Sequence, residues 1–592
     1  MNFLVNPIIH PLFQILITFV LCSGILNFGK IINNIVIKDY NYDYNFFNLA
    51  IGSIILAHII FILFLTEILN LVIIPITTCL ILLGIVNIRF FTEIGQFYKK
   101  LFKNDNKLFT IIFIFFAIFF IISLGPPSMS DALDYHYGMP LNVIKFSNFP
   151  DHNTWLHGTL FGYAELINII PLNLKTDNFF SFFQLLSLVF FFEYFYKKKI
   201  DYDKLLYSIL FVICTPVILF LISGPKALLF PQLLTTMALY LYVKDNNYNR
   251  KNIIVISFLL IGATQFKLSF ILSGAVLGFL ILIKTIKNDK TNILILISLL
   301  LLIFLPRIFY NFSQVTSFTF INIFTTSPMY FLEYLHNYKD NHYVYPINLF
   351  IPSSIGTVST ILGFHLLLLF FLKKLSYKFK LILIITFLSI IIHFIFGQQT
   401  SRLYFEFILW ISVGFYFLEK KSFNIKYFNY ALFPQLIFIF VSSLYFSIMC
   451  IPTFFSLEKR DQFMKKNSSD YSAIKWVNNN VPNNATILSK LRSISLYNNK
   501  TIPYDNYLNY LNNNDISEEH INYLKLNKPQ FFITRSNNLE NFYLKGCIGD
   551  LYKASKEITT ARRNPFNKDT KFNVYIYHFN YENLNFCVNL KQ

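Results

Sequence analysis

Between residues 10 and 450 the chain alternates long apolar runs with short polar or basic stretches. A helix needs about 20 mostly apolar residues to cross a bilayer core. Fourteen segments approach that pattern: roughly 10–29, 47–66, 70–90, 108–124, 178–196, 204–223, 226–243, 252–265, 268–283, 292–306, 355–372, 381–396, 404–418 and 430–450. The pair 252–265 and 268–283 is divided at Gln265-Phe266-Lys267. As one straight helix it would be about 48 Å long at 1.5 Å per residue, too long for a core of about 30 Å. A hairpin keeps that lysine near a surface. The expected fold class is a mainly α polytopic membrane protein with about 14 spans and a C-terminal α/β soluble domain.

The tail from 452 to 592 has no spanning run and is rich in Asn, Lys and Asp. Its pattern predicts a helix at 470–479 with Ser468 or Ser469 as N-cap, and a second helix at 517–526 opened by Glu518 and Glu519. Strands are expected at 485–488, 531–534 and 572–578. Three regions follow: 1–107 as N-terminal spans, 108–451 as a helical core with long loops 125–177 and 307–354, and 452–592 as the soluble domain.

Charge adds orientation. Only 14% of the 592 residues are charged, and the formal net charge is +19; an ordinary soluble domain carries about 25% charged residues. The lysines and arginines sit in clusters between apolar runs: Lys99/Lys100/Lys103/Lys107, Lys197/Lys198/Lys199/Lys204, Lys244/Arg250/Lys251, Lys284/Lys287/Lys290, Lys373/Lys374/Lys378/Lys380 and Lys420/Lys421/Lys426. With fourteen spans all of them fall on one side, the cytoplasmic side of the positive-inside pattern. They read as topology signals, so no nucleic-acid partner is expected. The two long loops and the tail then face outward, and so does the N-terminus. That terminus lacks a basic leader, so no cleaved signal peptide is expected.

Cys22, Cys79, Cys214 and Cys450 lie in or beside apolar runs and read as small core residues. Cys547 and Cys587 are the only cysteines of the tail, which is expected to face an oxidising compartment, so a disulfide between them is predicted. No CxxC or HExxH pattern occurs, and no metal ligands are assigned.

Candidate chemistry gathers where the first long loop opens, GPPSMSDALDYHYGMP at 125–140. If this stretch is α-helical, Asp131 and Asp134 share a face at i, i+3, with Tyr135 at i+4 from Asp131 and His136 beside it. Partial burial at the membrane surface would raise a carboxylate's pKa and suit it to act as a base. The same residues also fit a helix cap and a solvated loop acid.

A helix followed by a long outer loop that opens with Asp, and an aromatic residue four positions later, resembles the GT-C superfamily. These are membrane glycosyltransferases that use polyprenyl-phosphate sugars; protein O-mannosyltransferases and the lipid A aminoarabinose transferase belong to it. The family pattern is roughly D-E-x-x-Y. Asp131 matches its catalytic Asp and Tyr135 its Tyr, while Ala132 replaces the neighbouring acid and Asp134 follows two residues later. The resemblance leaves a divalent metal open, but these residues do not indicate one, and no other cofactor is implied. WLHGTLFGYAELINIIPL at 155–172 suits the family's amphipathic helix lying on the membrane. LPRIFYNF at 305–312, GQQTSRLYFEF at 397–407 and KWVNNNVPNNATIL at 475–488 resemble further family elements in the same order.

The resemblance implies a GT-C-like bundle in the inner (plasma) membrane, with the catalytic loops and tail on the periplasmic or outer side. The partners it implies are membrane lipids, a polyprenyl-phosphate sugar donor, and a glycan, lipid or protein acceptor. The reaction is an inverting transfer with Asp131 as general base. Lipid phosphate leaves more readily beside positive charge. Lys267, Arg307 and Arg402 are the candidates for that role, with Lys226 a fourth. His136 and Glu165 would orient the acceptor, and Glu333 would shape its site. A transporter or lipid flippase, and a polysaccharide polymerase or ligase, are the alternatives.

Overall fold

The structure is a computed structural model. It describes residues 2–587 except 40–41, 87–94, 96–106, 148–154, 246–249, 289–290, 315–319, 341, 420–424, 469, 505–517, 541, 543, 561–569 and 585–586. Eight described helices are long and apolar enough to cross a membrane: Pro11–Val36, Asn45–Leu65, Leu69–Val86, Phe179–Lys197, Leu268–Ile286, Asn292–Gln314, Tyr377–Phe396 and Leu432–Phe454. Their outer faces carry exposed Leu71, Ile74, Phe387 and Phe396. In water such a surface would drive association; against lipid tails it is solvated. Phe179–Lys197 is instead buried almost throughout, at the centre of the bundle. This is the build of a mainly α, multi-pass membrane protein.

The first three helices touch through glycines. A Cβ on Gly29 would lie 1.8 Å from the Asn48 carbonyl oxygen, and one on Gly84 2.1 Å from that of Val20. Small residues let helix backbones approach where lipid supplies no hydrophobic drive.

Three expected elements differ. Segment 355–372 is not an α-helix; it forms two 3-10 pieces, Ile355–Thr360 and His365–Phe371. Segment 204–223 breaks at Cys214-Thr215-Pro216 into Tyr202–Ile213 and Val217–Ile222, because proline lacks the N–H that an unbroken helix needs. Gln435, inside helix Ile425–Cys450, serves both irregular stretches. Its Nε2 donates to the Cys214 carbonyl at 2.5 Å and lies 3.0 Å from His365 Nδ1, while its Oε1 accepts from Phe364 N at 3.1 Å. Irregular backbone at membrane depth persists only where protein groups satisfy it. Gly363, at φ +84°, passes within 2.4 Å of Gln435 where a Cβ would stand. Finally, 155–172 does not lie on the membrane as one amphipathic helix. It forms a 3-10 turn, Leu156–Leu160, and a helix, Tyr163–Asn173, buried from Tyr163 to Leu172. Its polar groups face inward, with Tyr163 Oη 2.7 Å from His58 Nδ1.

The described lysines of the basic clusters collect at one end of the bundle. Lys284 and Lys378 donate to the carbonyls of Asp245 and Lys244, each at 2.7 Å, and Lys251 lies 3.9 Å from Asp39. Lys99, Lys100, Lys103, Lys290, Lys420 and Lys421 lie outside the described residues. The 3-10 stretch still runs from the opposite end, where Ser401 Oγ donates to the Thr360 carbonyl, to the lysine end at Lys378.

The tail folds into a five-stranded sheet of order β2-β1-β3-β7-β4. Its strands are β1 (Thr486–Ser489), β2 (Lys500–Pro503), β3 (Phe531–Thr534), β4 (Ile548–Ala554) and β7 (Tyr575–Phe579). β5 (Ile558–Thr560) and β6 (Thr570–Phe572) form a separate pair. β1 runs parallel to β2 and β3, and β7 antiparallel to β3 and β4. Helix Tyr471–Asn480 is capped at Asp470 rather than at a serine, and the Asp470 carboxylate accepts from Ser493 N and Oγ. The N-terminus docks here too: Asn2 Nδ2 donates to the Tyr497 carbonyl at 3.1 Å, and Tyr471 Oη to that of Val5 at 3.0 Å. The N-terminus, the loops and the tail therefore share the end opposite the lysines.

Cys547 and Cys587 form a disulfide across 40 residues of sequence. In the chain-entropy treatment such a loop is worth about 3–4 kcal/mol. Cys587→Ser should make the tail cleavable by protease at concentrations that spare the wild type, whereas the helices should be unaffected.

Candidate active site

Gly125-Pro126-Pro127 ends helix Lys107–Ser123 and turns the chain across the end of the bundle. Ala132–His136 is then a π-turn, with Tyr137 N–H donating to the Ala132 carbonyl, rather than the α-helix assumed from spacing. The wider turn rotates successive side chains differently from an α-helix and recurs at functional sites. Helix Tyr137–Phe146 continues from it.

Asp131 is an ionic hub. Its Oδ2 lies 2.5 Å from Lys226 Nζ and 3.7 Å from Arg402 Nη1, and its Oδ1 2.8 Å from Arg492 Nη2. Asp134 faces the other way and is more buried, its side chain 2% exposed against 21% for Asp131. Asp134 Oδ2 meets Arg492 Nε at 3.0 Å and His157 Nδ1 at 3.4 Å, and Oδ1 accepts from Trp155 Nε1 at 3.2 Å. Arg492, from the loop after β1, thus bridges both acids with two separate nitrogens. Burial pushes the Asp131 carboxyl up, but Lys226, Arg492 and Arg402 together hold it well below the ordinary carboxylate range. The expected upward shift is therefore overturned. The cations that reverse it come from chain positions far from the loop.

A second pair of cations, Lys267 and Arg307, makes no direct contact with an acid among the described residues, and Glu165 is the carboxylate that acts on both. Lys267 Nζ sits 5.3 Å from the Tyr135 ring centroid and 3.5 Å from its hydroxyl. Arg307 lies 4.1 Å over Phe161 and donates from Nη2 to that residue's carbonyl at 3.1 Å, leaving a buried Nε without a partner. Among the described residues neither makes an ion pair. Beside them His136 Nδ1 is 2.5 Å from Glu165 Oε1, and Gly162 N donates to Glu165 Oε2 at 2.7 Å.

These groups surround one cavity of about 330 Å³. Asp131, Tyr135, His136, Lys226, Lys267, Arg307, Arg402 and Arg492 line its polar part; Leu272, Leu335 and Phe396 line its apolar part. Asp134 and Glu165 stand behind the wall and hold residues that line it. Glu333 is exposed on helix Met329–Asn337 and is not among the lining residues. Glu406 points into the bundle, where its Oε2 accepts from Ser273 Oγ at 2.5 Å. Among the groups lining the cavity, Arg492, His157, Tyr334, His336, Tyr338 and His393 escape sequence reading. Arg492 lies 361 residues from Asp131 in an ordinary loop, and nothing local marks it.

The cavity sets a cationic wall against an apolar one, which suits an anion with an apolar neighbour. Among the described residues no group of three or more His, Cys, Asp or Glu side chains is arranged to hold a metal ion. Neither a curated protein nor a solved structure matches the chain. Residues 87–464 match the DUF1420 N-terminal domain and residues 465–591 the DUF1420 C-terminal domain, so the chain belongs to the DUF1420 family.

Proposed function

We propose that this chain is a glycosyltransferase of GT-C type. It moves a sugar from a polyprenyl-phosphate donor to an acceptor at the site end of the bundle, the outer face of the inner membrane if the lysine end is cytoplasmic. One observation carries the reading: five cations converge on a cavity with apolar walls, and two of them, Lys267 and Arg307, make no ion pair among the described residues, with Glu165 only at longer range. A buried cation without a contacting acid is unfavourable. A phosphate seated between Lys267 and Arg307 would reduce that penalty, and its lipid tail would follow Leu272 and Phe396 toward the bilayer. The same cations would then stabilise the phosphate as it departs from the anomeric carbon. The resemblance makes Asp131 the base. Three cations on that carboxylate argue instead that it stays anionic and holds Lys226, Arg402 and Arg492 in place.

The test is incubation of the purified chain in detergent with a panel of polyprenyl-phosphate sugars, following release of polyprenyl phosphate. Turnover of at least one donor is expected. Arg307→Ala should weaken donor binding by roughly 10–100-fold, the equivalent of one charge-assisted hydrogen bond. A chain that binds and consumes none of the donors would sink the proposal.

A further inference from the structure

His136 and Glu165 form a pair whose geometry goes beyond positioning an acceptor. Both side chains are buried, 1% and 2% exposed. Glu165 opens helix Tyr163–Asn173, and its carboxylate is fixed at both oxygens: Gly162 N donates to Oε2 at 2.7 Å, and Oε1 faces His136 Nδ1 at 2.5 Å. Gly162 is held there, because a Cβ on it would stand 2.4 Å from the Phe266 carbonyl oxygen. A carboxylate on Nδ1 places the imidazole proton on Nδ1 and leaves the lone pair on Nε2. That Nε2 is buried and has no hydrogen-bond partner among the described residues, and the residue lines the cavity. Nucleophile-activating bases are oriented in this way by a third group. The π-turn brings His136, five residues on from Asp131, to the same cavity.

We infer that His136, oriented by Glu165, is the general base that takes the acceptor's proton. The inference rests on the glycosyl-transfer reading of the cavity. In the step, a lone pair on the acceptor oxygen or nitrogen forms the bond to the anomeric carbon. The bond from that carbon to the phosphate oxygen breaks, and its electron pair leaves with the lipid phosphate toward Lys267 and Arg307. The acceptor's proton passes to Nε2, giving an imidazolium stabilised by Glu165, which returns the proton to water when product leaves.

The groups facing His136 are Glu165, Lys267, Lys226, Tyr135 and His157. Burial lowers the imidazole to about 4, the Glu165 contact opposes this, and Lys267 and Lys226 reinforce it. The base is therefore neutral through the physiological range. Loss of kcat/KM is expected only as pH falls through about 4.

The experiment compares His136→Gln and Glu165→Gln with wild type, measuring donor binding and transfer separately, with melting and gel filtration as folding controls. A general base contributes typically about 10²–10⁴ in rate. His136→Gln should lose that much kcat with donor affinity within about twofold, and Glu165→Gln should lose less, with its acid limb moved to lower pH. Imidazole added to His136→Ala should restore transfer in its unprotonated form. Transfer by folded His136→Gln within threefold of wild type would overturn the inference, as would an equal loss of donor binding and transfer. A wild-type chain that neither binds nor consumes any polyprenyl-phosphate sugar refutes the glycosyl-transfer reading itself. That result differs from a wild type that transfers and a His136→Gln variant that transfers equally well.

Discussion

Asp131→Asn should lower turnover by about 10²–10³, the scale seen on removal of one preorganised electrostatic group, without weakening donor binding. In the ligand-free site the carboxylate is shared by Lys226, Arg402 and Arg492, with Asp134 also on Arg492 and Asp340 acting on Arg402 and Lys226. Asparagine keeps the volume but removes the charge. The three cations then repel one another, move from the geometry that a departing phosphate needs, and offer more uncompensated positive charge to an incoming anion. Donor affinity should therefore hold or rise while kcat falls. Asp134→Asn should be milder, because Trp155 can still donate to the amide oxygen and Arg492 keeps Asp131. The pH dependence follows from the sign of the shift. Asp131 is held below its ordinary value, so its ion pairs stabilise the fold above the usual carboxylate range and are lost as pH falls through the lowered one. A fall in donor affinity in Asp131→Asn would show that the carboxylate itself touches the donor and that the hub description is wrong.

Much of this architecture is legible in the apolar pattern, because hydropathy and length suffice to mark a spanning helix. The hairpin at Gln265-Phe266-Lys267 appears as two helices, Arg250–Phe266 and Ile271–Asn288, with Lys267 between them. Segment 355–372 is as apolar as its neighbours, yet its irregular backbone is met by distant partners: Gln435 accepts from Phe364 N, and the Ile361 carbonyl accepts from Val217 N. No local pattern reports such a partner. The same reason explains the site. Asp131, Tyr135, His136, Lys267, Arg307 and Arg402 can be picked by residue type and by their place at one end of the spans. The direction of the Asp131 shift cannot, because it depends on Lys226 and on Arg492, which a separate domain delivers. Local spacing also assumes a helix type, and the π-turn at Ala132–His136 breaks that assumption where the candidate chemistry lies.

Among the contacts that dock that domain is one buried ion pair, and breaking it should have the largest effect on stability. Arg460, on helix Leu457–Asn467, donates from Nη2 to Asp177 Oδ2 at the close of the first long loop; their side chains are 7% and 4% exposed. The Asp177 carbonyl also accepts from Tyr137 Oη, directly after the π-turn, and Asp177 Oδ1 has no hydrogen-bond partner among the described residues. Arg460→Met leaves a buried carboxylate without its cation, a change that costs about 3–5 kcal/mol. The tail should then release at lower temperature than the helices and become sensitive to protease. Arg492 would withdraw from Asp131 and Asp134, so turnover should fall in the same variant although residue 460 is remote from the cavity. Replacing both partners, Arg460→Met with Asp177→Leu, removes the stranded charge and should recover most of the melting temperature. If the single and double variants melt alike, the loss belongs to the packing of the arginine stem, and the ion pair is not what anchors the domain.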